Sequence, residues 1–226
     1  MVCRAVIFDM DGLMLDTERL RMQLFERVVA EHGMTLPDGV YLQTIGRTVR
    51  DSRGIFAEHM GSDFPYEALR LKRRDMEYAH IDQHGVPTKP GLESLLDWLE
   101  GQAFPRAVAT SSARATAHRL LDVVGVRNRF DIIVGGDDVE HGKPAPDLFL
   151  LAAEHLGIAP SDCVVLEDSG AGIRAAHRAG MTPILVPDLQ PPADDVRALA
   201  YRVCTSLYEA ETVLSELLPP HSYNRF

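Results

Sequence analysis

Val6-Ile7-Phe8-Asp9-Met10-Asp11-Gly12 decides the fold, because an apolar run leads directly into two carboxylates and a glycine. In an open α/β sheet, ligands bind at the carboxyl ends of buried strands, so we expect Asp9 at such an edge. Residues i and i+2 of an extended chain share a face, so Asp9 and Asp11 could address one metal ion or substrate, and Gly12 allows a sharp turn behind them. Taken alone, a solvated Asp-x-Asp-Gly turn explains this stretch equally well.

The length and composition of the chain limit which class of protein it can be. With 226 residues, the chain can form one large α/β domain or a core domain carrying a smaller inserted one. The longest apolar runs are strand-length and no signal pattern precedes the first strand, so we expect neither a membrane nor a secreted location. Cys3, Cys163 and Cys204 are odd in number and widely spaced, which favours free thiols over disulfides or a zinc site. The sequence therefore predicts a cytoplasmic protein.

The charge of the chain is unevenly distributed. A net charge of -10 argues against a nucleic-acid surface. Residues 16–85 hold 10 of the 23 basic and 12 of the 33 acidic residues, so this segment is near neutral while the remainder is strongly acidic. If the substrate is anionic, we expect this segment to supply cations. A solvated face with salt-bridged helices is the alternative for any single arginine there.

Two parts of the chain differ in their predicted secondary structure, and this difference predicts the domains. Residues 16–85 show helical spacing with no convincing strand. From Pro90 onward helices alternate with short apolar strands, predicted at 106–110, 132–134, 163–166 and 183–186, which indicates a parallel sheet with helices on both faces. The strand at 4–8 must join that sheet from the other side of the helical segment. We therefore predict a doubly wound α/β core, residues 1–15 and 86–226, with an inserted all-helical cap, residues 16–85.

Polar residues follow four of the predicted strands, at the edge where a parallel sheet places its ligands. They are Asp9 and Asp11, Thr110-Ser111-Ser112, Gly136-Asp137-Asp138 with Gly142-Lys143-Pro144, and Glu167-Asp168-Ser169-Gly170. Each group singly is explained as a cap or a turn, but four polar strand ends together favour a common site.

The chemistry of this set suits phosphoryl transfer. Four carboxylates cannot all stay ionised without a cation, because two unit charges ~4 Å apart interact by roughly 4 kcal/mol at intermediate dielectric. An oxygen-rich cluster suits Mg²⁺, and Lys143 is a second neutralising cation. Thr110 and Lys143 could then hold phosphate oxygens while Asp9 attacks to give an aspartyl phosphate. Asp11 is placed to protonate the leaving oxygen and later to activate water.

These motifs resemble the haloacid dehalogenase (HAD) superfamily, in its branch with a helical cap after the first strand. The matching motifs, in order, are Asp9-x-Asp11-Gly12, Leu15-Asp16-Thr17, Ala109-Thr110-Ser111-Ser112, His141-Gly142-Lys143-Pro144-x-Pro146-Asp147 and Glu167-Asp168-Ser169-x-x-Gly172. The resemblance covers nearly the whole chain and implies a Rossmann-like core. Within the branch, the sequence is similar to the β-phosphoglucomutase-like group. Its residues 8–13 and 15–20, together with Gly136-Asp137-Asp138, are especially similar to those of pseudouridine-5′-phosphatases.

The resemblance implies a role for each matching residue. It makes Asp9 the nucleophile and Asp11 the acid/base, and it assigns phosphate contacts to Thr110 and Lys143. Ser111, which we also expect to contact the phosphate, stands where the family often has an asparagine. The implied Mg²⁺ ligands are Asp9, Glu167 and Asp168, together with Asp11 through its carbonyl. Aspartate rather than serine at position 11 is similar to the phosphatase and mutase pattern, not to the dehalogenase one.

The residues and the resemblance together leave three possible functions. The first is a Mg²⁺-dependent phosphatase of a small phosphorylated metabolite, such as a sugar phosphate or pseudouridine 5′-phosphate. The second is a β-phosphoglucomutase-type phosphomutase, although Glu18-Arg19-Leu20-Arg21 stands where true β-phosphoglucomutases carry a histidine. The third, a phospho-accepting receiver, is disfavoured by the chain length and the cap insertion. The cap candidates for contact with the substrate are Arg47, Arg50 and the run Lys72-Arg73-Arg74, with a solvated surface position as the alternative for each. A monomer is the default because the cap already covers the site.

Overall fold

The computed structural model describes residues 3–217 and contains a six-stranded parallel sheet. The strands are β1 (Ala5–Phe8), β2 (Arg106–Ala109), β3 (Ile132–Val134), β4 (Cys163–Glu167), β5 (Thr182–Leu185) and β6 (Arg202–Val203). Their order is β3-β2-β1-β4-β5-β6, and β1 pairs with β2 and β4 in the centre. The prediction that the first strand joins the sheet from across the helical segment is confirmed.

Helices cover both faces of the sheet. The helices of the core are α4 (Leu92–Gly101), α5 (Arg114–Val123), α6 (Asp147–Leu156), α7 (Gly170–Arg178), α8 (Asp194–Leu199) and α9 (Leu207–Leu217). On one face, α4, α5 and α9 pack against Val6 and Phe8 of β1, and on the other α6 and α7 pack against Ala5 and Ile7. Because β1 is buried on both faces, every one of its residues is apolar.

Three helices between β1 and β2 form the cap. They are α1 (Glu18–Glu31), α2 (Val49–Met60) and α3 (Tyr66–His84), which share a separate apolar cluster centred on Phe25, Phe56 and Leu69. An α/β core with a helical cap is therefore confirmed, whereas the exact domain boundaries at 15/16 and 85/86 stay a prediction. The two linkers run side by side, since the amide of Asp16 donates to the carbonyl of Pro87 over 2.9 Å.

The elements after residue 186 were not expected from the sequence. Strand β6 has only two residues and α8 only six, so neither carries enough pattern to be recognised. The sequence also predicts a frayed tail at 221–226, but those positions lie outside the described residues. Among residues 3–217, no helix is both long and apolar enough to cross a bilayer.

Candidate active site

The turn after β1 positions both aspartates of the first motif. The amide of Asp9 continues the sheet by donating to the carbonyl of Leu166 over 3.0 Å. Gly12 has a φ of +88°, and a Cβ there would lie 2.2 Å from Oδ2 of Asp168. Only glycine therefore allows this turn to approach the end of β4.

Lys143 lies at the centre of the site and has no exposed surface. Its Nζ donates to Oδ1 of Asp9 and, over 2.8 Å, to Oε1 of Glu167. The second oxygen of Glu167 accepts from the amide of Ser169 over 2.6 Å. Burial acts to lower the pKa of Lys143, but the two adjacent carboxylates outweigh it and hold the pKa above its usual value. Lys143 is therefore held in its charged form between the two acids.

Three carboxylates meet beside this lysine. Asp9, Glu167 and Asp168 each offer an oxygen, and these oxygens lie within 4.8 Å of one another. Burial, followed by the charge of Glu167, raises the pKa of Asp9 to about 8 against the opposing effect of Lys143. The same two causes raise the pKa of Asp168 well above its ordinary value. One lysine does not neutralise this cluster, and hard oxygen ligands at this spacing fit a divalent cation such as Mg²⁺.

The carboxylate of Asp11 has different partners. Its Oδ1 accepts from Thr17 and from the guanidinium of Arg21, each over 2.7 Å, and its Oδ2 accepts from Ser112 over 2.7 Å. Burial acts to raise the pKa of Asp11, but the charge and hydrogen bond of Arg21 outweigh it and hold the pKa below the usual range. The side chain of Asp11 thus belongs to the cap-facing side of the site and is not a member of the three-carboxylate cluster.

The segment after β2 contacts both the core and the cap. Thr110 is buried, and its hydroxyl accepts from the amide of Ser112 over 3.1 Å and lies 3.5 Å from Asp11. The hydroxyl of Ser111 donates to the carbonyl of Gly46 over 2.9 Å. A Cβ at Gly46 would lie 2.4 Å from Oγ of Ser169, so the cap segment is closely seated on the core loops.

A cavity of about 150 Å³ opens between the cap and these strand ends. It is lined by four of the predicted residues: Asp9, Asp11, Thr110 and Ser111. Lys143 and Glu167 lie behind Asp9, and Asp168 lines a neighbouring cavity of about 300 Å³. Arg50 is exposed and does not line either cavity, whereas Arg47, one turn before it, lines both.

Sequence reasoning missed an ion-pair network on the cap side of Asp11. Nε of Arg21 donates over 2.7 Å to Glu77, which lies 56 residues away and also pairs with Arg73. The available signal was on α1, where Thr17 at the N-terminus and Arg21 lie one turn apart and both bond to Asp11. No local pattern, however, linked this face of α1 to Glu77 on α3.

Comparison with known proteins agrees with this architecture. Residues 6–186 match the family model of haloacid dehalogenase-like hydrolases. The fructose-1-phosphate phosphatase YqaB of Escherichia coli is 36% identical over 180 residues, covering 79% of this chain and 94% of its own. A probable pseudouridine-5′-phosphatase of Drosophila melanogaster is 36% identical over 190 residues, covering 80% of each chain.

A solved structure shows the same fold. The crystal structure of β-phosphoglucomutase from Clostridium difficile aligns with a TM-score of 0.81, over 96% of this chain and 97% of that one. At 22% identity this likeness concerns the fold alone. The family resemblance predicted from the motifs is thereby confirmed: the chain belongs to the haloacid dehalogenase-like hydrolases.

Proposed function

We propose that this enzyme is a Mg²⁺-dependent phosphatase that hydrolyses a small phosphomonoester through an aspartyl-phosphate intermediate. The observation that carries the proposal is that the two carboxylates of one turn, Asp9 and Asp11, have different surroundings. Asp9 is held by the buried Lys143 beside two further acids, whereas Asp11 faces the cavity and the cap. A nucleophile and an acid/base must differ in this way to act in sequence on one phosphorus.

In the first step, an oxygen of Asp9 attacks phosphorus as the bond to the leaving oxygen breaks, and Asp11 protonates that oxygen. In the second step, Asp11 takes a proton from water, whose oxygen attacks the aspartyl phosphate, releases inorganic phosphate and restores Asp9. Displacement of the Arg21 guanidinium by the leaving group would remove the largest cause of the low pKa of Asp11, although the hydrogen bonds of Ser112 and Thr17 remain, and would allow it to carry the first proton. Thr110, Ser111 and Lys143 are proposed to hold the phosphoryl oxygens.

Mg²⁺ would be held by Asp9, Glu167 and Asp168, and by the carbonyl of Asp11 as the family resemblance implies. When bound, it neutralises the carboxylates and polarises the phosphoryl group. The raised pKa values of Asp9 and Asp168 support this assignment, because burial, and then the charge of Glu167, disfavours their ionised forms and a bound cation would offset both effects.

The test is phosphate release from sugar phosphates, nucleoside 5′-monophosphates and pseudouridine 5′-phosphate, with Mg²⁺ and with EDTA. We expect release that requires Mg²⁺, is lost in Asp9→Asn and persists in Asp122→Asn, a matched change at an exposed site on α5. Full activity of Asp9→Asn would refute the aspartyl-phosphate mechanism. The phosphomutase alternative uses the same residues with a sugar as acceptor, so isomerised sugar phosphate without phosphate release, after priming with a bisphosphate, would replace the phosphatase.

We further propose a cytoplasmic monomer. All three cysteines lie unpaired and buried, as a reducing compartment favours. The cap already covers the strand ends of its own core, so the cavity needs no second copy of the chain to close it. Light scattering is expected to give 25.0 kDa, and a mass twice as large would contradict the monomer.

A further inference from the structure

The cap wall of the 150 Å³ cavity is rich in arginine. Within the described chain, the cap residues that line it include two acids, Glu18 and Glu77, and five arginines: Arg21, Arg47, Arg70, Arg73 and Arg74. Three of the arginines lie on one face of α3, at spacings of three and four residues that a helix brings together. This wall faces the side of Asp11 from which a leaving group would depart.

Two of these arginines are already neutralised. The side chain of Glu77 is 2% exposed and pairs with both Arg21 and Arg73. Arg21 is also bonded to Asp11 and lies 3.5 Å from Glu18. This buried network satisfies its own charges, so it leaves no cation for a ligand.

The other three arginines keep charge available. Arg70 and Arg74 pair with Glu67 and Asp75, whose side chains are 55% and 68% exposed, and ion pairs with exposed partners are readily exchanged. Arg47 is half-buried and makes no ion pair or side-chain hydrogen bond with any described residue. A half-buried guanidinium that no described anion pairs with is a natural partner for a carboxylate or phosphate.

The transferred phosphoryl group does not account for these cations. Its proposed partners, Lys143 and the cation of the three-carboxylate cluster, lie at the strand ends of the core. Arg47, Arg70 and Arg74 belong to the cap instead. Building on the phosphatase function, we propose that the leaving group carries a second anionic group, a carboxylate or a second phosphate, and that these three arginines bind it.

The test compares substrates that differ only in that group. 6-Phosphogluconate is paired with sorbitol 6-phosphate for the carboxylate, and fructose 1,6-bisphosphate with fructose 1-phosphate for the second phosphate. We expect kcat/KM to be at least about tenfold higher for the anionic member of one pair, and the pair that shows it identifies the anion. The preference is expected to shrink at high salt, because partly exposed charges are screened.

Arg47→Gln is expected to reduce this preference at least about fivefold, and Arg74→Gln to reduce it as well, in case the first variant is poorly folded. Arg53→Gln is the matched control, because Arg53 is exposed on α2 and does not line the cavity. Equal kcat/KM within both pairs, or an unchanged preference in both folded cavity variants, would overturn the inference while leaving the phosphatase function intact. Failure to release phosphate from any ester, including p-nitrophenyl phosphate, would overturn the function and the inference together.

Discussion

Replacing Gly172 with alanine would test how firmly the site is packed. Gly172 lies in the first turn of α7, and a Cβ there would be 1.6 Å from Oε1 and 1.9 Å from Cδ of Glu167. Glu167 has no exposed surface, and its two oxygens are bonded to Lys143 over 2.8 Å and to the amide of Ser169 over 2.6 Å. The carboxylate must therefore move, and it must give up at least one of these partners.

Two opposing effects determine how much Gly172→Ala changes the free energy of unfolding. Alanine favours a helix over glycine by about 0.5–1 kcal/mol, and Gly172 does not have the positive φ that would oppose it. Losing a hydrogen bond to a charged group costs about 1.5–3 kcal/mol, and overpacking a core costs about 1–3 kcal/mol. We expect the steric effect to win, with a free energy of unfolding lower by about 3 kcal/mol. Because Lys143 also anchors Asp9, phosphatase activity should fall at least about a hundredfold.

Gly54 provides the matched control. It lies inside α2, and a Cβ there would have no atom within 4 Å, so Gly54→Ala should raise stability by about 0.5–1 kcal/mol. Urea unfolding followed by the fluorescence of Trp98, the single tryptophan, measures both variants. If Gly172→Ala is as stable and active as Gly54→Ala, then Glu167 is not held as described and the reasoning fails.

Arg21, Asp11 and the buried cysteines provide further tests of the structure. Arg21→Met leaves the buried Glu77 with one ion-pair partner and Asp11 without its arginine partner. The free energy of unfolding in urea should therefore fall by about 3–5 kcal/mol, and kcat should be lower. Unchanged stability would contradict the ion-pair network. Asp11→Asn should lower kcat about 10²–10⁴-fold while Asp9 is still phosphorylated, which mass spectrometry of acid-quenched enzyme would detect. Burial raises the pKa of the thiols of Cys3, Cys163 and Cys204 to about 11 or 12, so they stay protonated in the folded state, while the thiols of the unfolded chain ionise from pH 9. The stability that these thiols contribute should therefore be complete below pH 9 and fall as the pH rises toward 11 or 12. Iodoacetamide at pH 8 should label none of the three before urea is added and all three afterwards; labelling of the folded protein would contradict their burial.

The sequence predicted the core well, because its signals are local. Strand β3 lies at the predicted bounds, Ile132–Val134. The turn at Asp9 and the polar strand ends were recognisable because a parallel sheet brings the carboxyl ends of its strands to one edge. The convergence of Asp9, Lys143, Glu167 and Asp168 followed from topology alone.

The cap side of the site was not predictable in the same way. Arg47 and Arg50 lie three residues apart in similar surroundings, and only the docking of α2 decides which one faces the cavity. Ser111 was expected to contact phosphate, and in the structure its hydroxyl reaches the carbonyl of Gly46, a cap residue 65 positions away.

The sequence by itself therefore determined the order of the motifs, the parallel sheet and the acids at its edge, because these depend on patterns within a few residues and on general rules of strand connection. Only the tertiary structure decided which partners the acids acquire. Arg21 reaches Asp11 and Glu77 because two helices and a core turn meet at one point. Such contacts depend on how the cap is oriented over the core, and no local periodicity encodes that orientation.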